Sequence, residues 1–123
     1  MSGNSLVADT NIVLYLLSGD ETVANLLNDW QVYLSFISEL ELLSYKYLTD
    51  KENKRVQEFL SVCHIIDIND RIKENSIYIK RKYGLKLPDS IIAGTAMFLD
   101  FPLITADSDF VKIKELEQLL YEK

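Results

Sequence analysis

The sequence predicts an α/β fold in three layers, with a central, mostly parallel sheet of four to five strands flanked by helices. Two observations carry that prediction. Brief apolar runs rich in β-branched or aromatic residues recur along the chain, and the segments between them repeat their apolar residues every three or four positions. Strands that alternate with helices pair in parallel, because each helix carries the chain back across a face of the sheet.

Four runs read as strands: LVA before Asp9, VYLSF before Ile37, HIID around Ile65 and LIT before Ala106. QLLYE near the C-terminus is a fifth, weaker candidate. Helical spacing runs through residues 11–17 (NIVLYLL), 21–28 (ETVANLLN), 38–48 (SELELLSYKYL), 51–61 (KENKRVQEFLS), 70–83 (DRIKENSIYIKRKY) and 89–99 (DSIIAGTAMFL). The chain has 123 residues, the size of one compact domain, and 48% of them are hydrophobic, enough to build a core. With four glycines and two prolines there is no Gly/Ser-rich linker, so residues 1–123 are expected to fold as a single domain.

Cys63 is the one cysteine, so no disulfide framework is expected, which favours the cytoplasm. The opening MSGNSLVADTN has no basic n-region, and no segment reaches the roughly 18 apolar residues of a membrane span. Thirteen Lys and Arg against nineteen Asp and Glu give a net charge of −6. That balance disfavours holding a nucleic acid by charge alone. It leaves open a protein whose carboxylates first collect a divalent cation.

In a parallel sheet, ligands bind beyond the carboxyl ends of the strands. Asp9 and Asp107 stand there, Asp67 closes HIID, and Glu39 and Glu41 begin the helix after VYLSF. Carboxylates that converge repel, by about 4 kcal/mol per pair at ~4 Å and an effective dielectric near 20. The loops ADTN, IND and ADSD contain no Lys or Arg to offset this. An oxygen-only donor set points to Mg²⁺ or Mn²⁺ rather than zinc.

The series VADTNIVLYLL, SFISELELLSY, LKLPDSIIAGTAMFL and LITADSDF resembles the PIN domain family, and within it the toxin ribonucleases of VapC type, from Leu6 to about Ile113. The resemblance implies four acids, Asp9, Glu41, Asp89 and Asp107, that hold the ion and serve catalysis. It also implies Asn11 as a polar companion that orients a carboxylate or the attacking water, and Thr105 in a hydroxyl position expected to meet the substrate. Matching SFISELEL to the family pattern aligns Ser38 with a hydroxyl and Glu41 with the acid, which leaves Glu39 as a helix N-terminal charge and Asp109 as a possible outer acid. The implied activity is metal-dependent hydrolysis of RNA phosphodiesters. The implied setting is a toxin–antitoxin pair, with the protein a cytoplasmic homodimer and its antitoxin laying a helix on the apolar residues of 38–48.

Each residue also has an ordinary reading. Asp9 can cap the helix that follows it, and Asp89 after Pro88 suits a helix start. Glu41 lies among Leu40, Leu42 and Leu43, where a charge is expensive unless paired. Asp107 and Asp109 can be turn formers, and Asp67, Asn69 and Asp70 read as a loop and cap. His64 reads as a partly buried strand residue rather than a ligand. Lys80, Arg81, Lys82 and Lys86 can be a charged helix end or a track for substrate phosphate. A non-catalytic PIN-like binding module remains an alternative. A phospho-receiver fits less well, since Thr10 follows Asp9 and ITADSDF lacks lysine.

Overall fold

A strand forms at each apolar run: β1 (Ser5–Ala8), β2 (Gln31–Ser35), β3 (His64–Ile66), β4 (Leu103–Thr105) and β5 (Gln118–Leu120). The structure is a computed structural model, and it describes residues 4–46 and 48–122. All four pairings are parallel and the strand order is β3-β2-β1-β4-β5. The helices are α1 (Thr10–Leu17), α2 (Glu21–Leu27), α3 (Phe36–Leu43), α4 (Asp50–Val62), α5 (Asp70–Tyr83) and α6 (Leu87–Leu99), with a 3₁₀ helix over Ser108–Lys112. The expected sheet with helices on both faces is what forms.

Strand alternation divides the core in two. Leu6 and Ala8 of β1 and Ile104 of β4 pack with Ile12, Val23, Leu42 and Leu60 on one face. Val7 and Leu103 turn the other way, onto Ile79, Ile92, Ala96 and Phe110.

Caps explain where the helices begin. Asp20 accepts from the Val23 N–H (3.1 Å) and Asn69 from the Ile72 N–H (2.8 Å), while Thr49 and Glu52 form a reciprocal capping box. Asn69 and Asp70 therefore serve as the cap and first residue expected of them, and Asp67 accepts from the Ile68 N–H in the loop (2.8 Å). Helix α5 ends at Gly84, whose φ of 71° is the left-handed conformation that a residue without Cβ adopts most easily.

Several boundaries differ from the sequence reading. Phe36 belongs to α3 and not to β2, because the Ser35 hydroxyl caps the helix by accepting from the Ile37 N–H at 3.2 Å. The same helix stops at Leu43 rather than running to residue 48. The Ser44 N–H and hydroxyl both turn back to the Glu41 carbonyl there, and Tyr47 lies outside the described residues. Helix α6 starts at Leu87 rather than at Asp89, since Pro88 is tolerated in a first turn where its missing N–H has no partner to lose. Among the described residues, no helix is long and apolar enough to cross a membrane.

Candidate active site

Strands β2 and β3 extend the sheet to one side of β1, and β4 and β5 to the other. The connection order therefore reverses between β1 and β4, the place where loops diverge and open a crevice beyond the strand ends. Asp9 follows β1 directly and Asp107 follows β4 after one residue.

Asp9 is fixed from three directions. Its N–H donates to the Ile104 carbonyl (3.1 Å), prolonging the β1–β4 pairing by one residue. Its Oδ1 accepts from the Ile12 N–H (3.0 Å) as the cap of α1, and its Oδ2 accepts from the Thr105 hydroxyl. Capping and a place in the site thus coincide in one side chain that is 4% exposed. Burial raises its pKa most, and the nearby Asp107 charge raises it further, against the lowering effect of the Thr105, Ile12 and Asn11 hydrogen bonds.

Asp89, in the first turn of α6, is half-buried. Its pKa is also raised, first by burial and then by Asp107, Asp9 and Glu41, with Lys86 alone pulling it down. Asp9, Glu41 and Asp107 are thus each within electrostatic reach of Asp89, and they come from the residue after β1, from α3 and from the loop after β4. Asp107 caps the 3₁₀ helix, its Oδ1 accepting from the Asp109 N–H (2.9 Å). Asp109 itself is exposed, so its turn role is the one observed.

Glu41 is reached by a residue that the sequence reading passed over. The Thr10 hydroxyl stands 2.6 Å from Glu41 Oε1 and 3.0 Å from the Ser38 hydroxyl. The sequence carries little signal for this contact, because Thr10 stands between Asp9 and Asn11 and Ser38 beside Glu39, and only burial shows that both hydroxyls need partners. The expectation that leucines surround Glu41 is corrected, since Leu40 and Leu43 are exposed and only Leu42 is buried. A helix turns about 100° per residue, so adjacent leucines cannot share one face. Glu39 lies in the first turn of α3, as a helix N-terminal charge would.

Other expected residues are placed as follows. Thr105, expected to meet the substrate, is fully buried, donates to Asp9 and accepts from the Asp107 N–H (3.0 Å), so it braces two acids. Asn11 is exposed on the first turn of α1 and makes no side-chain hydrogen bond among the described residues, so it orients no carboxylate here. The basic stretch divides among different partners. Lys82 sits over the Tyr78 and Tyr83 rings and pairs with Glu115 (3.1 Å), and Lys80 donates to the Leu85 carbonyl (3.1 Å). The same cluster of donors pulls the Glu115 carboxyl down to about 2, Tyr78 first. Arg81 is exposed, and Lys86 lowers the pKa of Asp89. His64 is exposed rather than partly buried and stacks on Tyr33, with ring centroids 4.5 Å apart. Burial pushes the Cys63 thiol up to about 11, which suits a packed, unreactive side chain.

Among the described residues, no three acidic, His or Cys side chains form a ready-made ligand cage. A site for Mg²⁺ or Mn²⁺ needs none, because such ions keep several waters and take one or two carboxylates together with substrate oxygens. Mutually repelling, partly desolvated carboxylates with a single lysine nearby therefore fit a hard divalent cation.

Raised folded-state values also set a pH dependence. A carboxyl that binds its proton more tightly in the fold contributes stability that is full below the unfolded value near 4 and is lost as pH rises through the folded one. In chelator, the wild-type melting temperature is therefore expected to fall relative to that of Asp9→Asn as pH rises above about 4. Glu115, lowered in the fold, acts in the opposite sense but equally in both proteins, so the difference reports Asp9 and the repulsion it exerts on Asp89. Parallel pH profiles would remove this electrostatic account.

The chain matches the family model described as PIN domain over residues 6–116. Comparison with curated proteins gave no match. Among solved structures, a toxin–antitoxin complex from Klebsiella pneumoniae is 34% identical, with a TM-score of 0.83 over 96% of this chain and 99% of that one. VapBC2 from Rickettsia felis, solved bound to a promoter DNA fragment, is 20% identical at a TM-score of 0.84, over 96% and 99% of the two chains. DNA-bound VapBC from Salmonella typhimurium is 17% identical at a TM-score of 0.81, covering 95% and 98%. The last two likenesses concern the fold.

Proposed function

The chain belongs to the PIN domain family, and on that premise we propose that it is a divalent-metal-dependent endoribonuclease, the toxin of a toxin–antitoxin pair of VapC type. The observation that supports this reading is that Asp9 and Asp107 follow the two strands at which the sheet order reverses, with Asp89 in electrostatic reach of both and of Glu41.

These four acids would hold Mg²⁺ or Mn²⁺, one or two of them directly and the others through the ion's waters. When bound, such an ion supplies a nucleophilic water at neutral pH and offsets charge on the phosphoryl group in flight. The chain's own residues do the rest. Thr105 holds Asp9 and the loop of Asp107 in register. Asn11, exposed two residues after Asp9, would hydrogen-bond a phosphate oxygen or the attacking water, and Lys86 would draw the phosphate backbone toward the acids. Lys80, Arg81 and Lys82 would add weaker, more distant attraction. With a net charge of −6, RNA affinity would come from that local cation, the metal and a groove formed by a homodimer.

The partner would be an antitoxin. The Klebsiella structure is described as a toxin–antitoxin complex, and in this chain Leu40, Leu43 and Tyr45 are exposed on or just after the helix that carries Glu41. A partner helix seated there could reach the acids with a basic group. The absence of a spanning helix among the described residues and the lone half-buried cysteine suit the cytoplasm.

The test is cleavage of single-stranded RNA by the purified chain in Mg²⁺, Mn²⁺ or chelator. Internal cuts that appear with the ions and vanish with chelator are expected. No cleavage with either ion would leave a non-catalytic binding module and overturn the enzymatic reading.

A further inference from the structure

Glu41 differs from the other three acids in how it is held. Asp9 and Asp107 are tied by backbone N–H groups at the ends of strands, and Asp89 sits in the first turn of a helix that packs against the sheet. Glu41 lies on the second turn of α3, has a side chain one rotatable bond longer than aspartate's, and has no backbone donor among the described residues. Its bond is to the Thr10 hydroxyl at 2.6 Å, a contact between residues 31 positions apart.

A hydroxyl has one proton. Thr10 gives it to the Glu41 carboxylate, the shorter and charged partner, and its oxygen is then free to accept from the Ser38 hydroxyl 3.0 Å away. Ser38 is fully buried and Thr10 is 8% exposed, so the relay is shielded from competing water. Thr10 is the first residue of α1 and follows Asp9 directly, so the pair couples an acid on α3 to the backbone that carries the acid of β1.

We propose that Thr10, supported by Ser38, is a positioning residue that fixes Glu41 relative to Asp9 for binding a divalent cation. This rests on the metal-dependent reading above. Glu41 Oε1 is occupied by the Thr10 proton, and Oε2 has no hydrogen bond within the described chain, so one oxygen anchors while the other is available. Partners that orient a ligand in this way change metal affinity by about 10–100-fold when removed.

The experiment measures Mn²⁺ binding to the full chain by electron paramagnetic resonance of the free ion, with no RNA present. Thr10→Val, which keeps the shape and removes the proton, is expected to weaken binding about 10–100-fold. Thr10→Ser is expected to stay within about threefold of wild type, and Ser38→Ala to fall between them. In a Glu41→Gln background, Thr10→Val should have little further effect, because the two share one function. A general structural defect would instead weaken binding equally in both backgrounds, and that result overturns the proposal, as does wild-type affinity in Thr10→Val. Should Thr10→Val fail to fold, Ser38→Ala against Glu41→Gln completes the same cycle. A wild type that binds no Mn²⁺ overturns the metal-dependent reading itself, whereas binding that ignores Thr10 and Ser38 overturns only this role.

Discussion

Asp9→Asn lowers RNA cleavage by about 10³-fold or more and leaves the fold intact. The substitution is nearly isosteric, and Asn caps helices about as well as Asp, so Oδ1 keeps the Ile12 N–H. The Thr105 hydroxyl can rotate to accept from the new amide. What is lost is the negative charge at the one acid that is almost fully buried and closest to the strand reversal. A direct ligand should matter more than the 10–100-fold typical of the partners behind it. Stability moves the other way: in chelator, removing a buried charge repelled by Asp107 leaves the melting temperature unchanged or higher. Cleavage rates and chelator melts on the same samples check both halves. Equal cleavage by the two proteins would remove Asp9 from the chemistry, and a collapsed melt would make its role structural.

What could be read from the sequence was what local chemistry determines. At the junction of β1 and α1, three apolar residues, an acid and then helical spacing suffice, because strand, cap and helix are built from neighbours in the chain. Asp89 came from family likeness rather than from spacing, and periodicity alone started its helix two residues late. The limits of α3 were missed at both ends because Ser35 and Ser44 compete for its terminal groups, which apolar spacing does not report. The Thr10–Glu41 contact was invisible because only the packing of α1 against α3 brings the two together. For the basic stretch, sequence left two readings open. Lys80, Arg81 and Lys82 are adjacent in sequence, but helical rotation separates them, and Lys82 finds Glu115 instead of the acids. Strand order, which decides where the crevice opens, follows from which faces pack and has no local sign.

Gly94→Ala lowers the melting temperature by several degrees and also weakens metal binding. A glycine in mid-helix costs about 1 kcal/mol relative to alanine, so its presence in α6 needs a reason. Here the reason is a close crossing: a Cβ on Gly94 would lie 2.6 Å from Ser76 Oγ, 3.0 Å from the Ser76 nitrogen and 3.2 Å from the Ile72 carbonyl oxygen of α5. The Ser76 hydroxyl could turn aside only by giving up its 2.6 Å bond to that same carbonyl, and the two backbone contacts cannot move without separating the helices. Asn75 also donates to the Gly94 carbonyl (3.2 Å), so a wider spacing stretches that bond too. Overpacking of this kind costs about 1–3 kcal/mol against about 1 kcal/mol gained in helix propensity, and with three contacts too close the upper part of that range applies, so a net loss of up to about 2 kcal/mol lowers the melting temperature by up to roughly 10 °C in a domain of this size. Ser76→Ala in the Gly94→Ala protein should recover part of the loss, since it removes the nearest of the three contacts. Asp89 lies on the same helix, five residues earlier, so moving α6 off α5 also moves that carboxylate relative to Asp9. Calorimetric melts with and without Mn²⁺ read both effects. A Gly94→Ala protein that melts no lower than wild type, with an undiminished Mn²⁺-induced rise, would mean that the crossing is not what holds Asp89 in place.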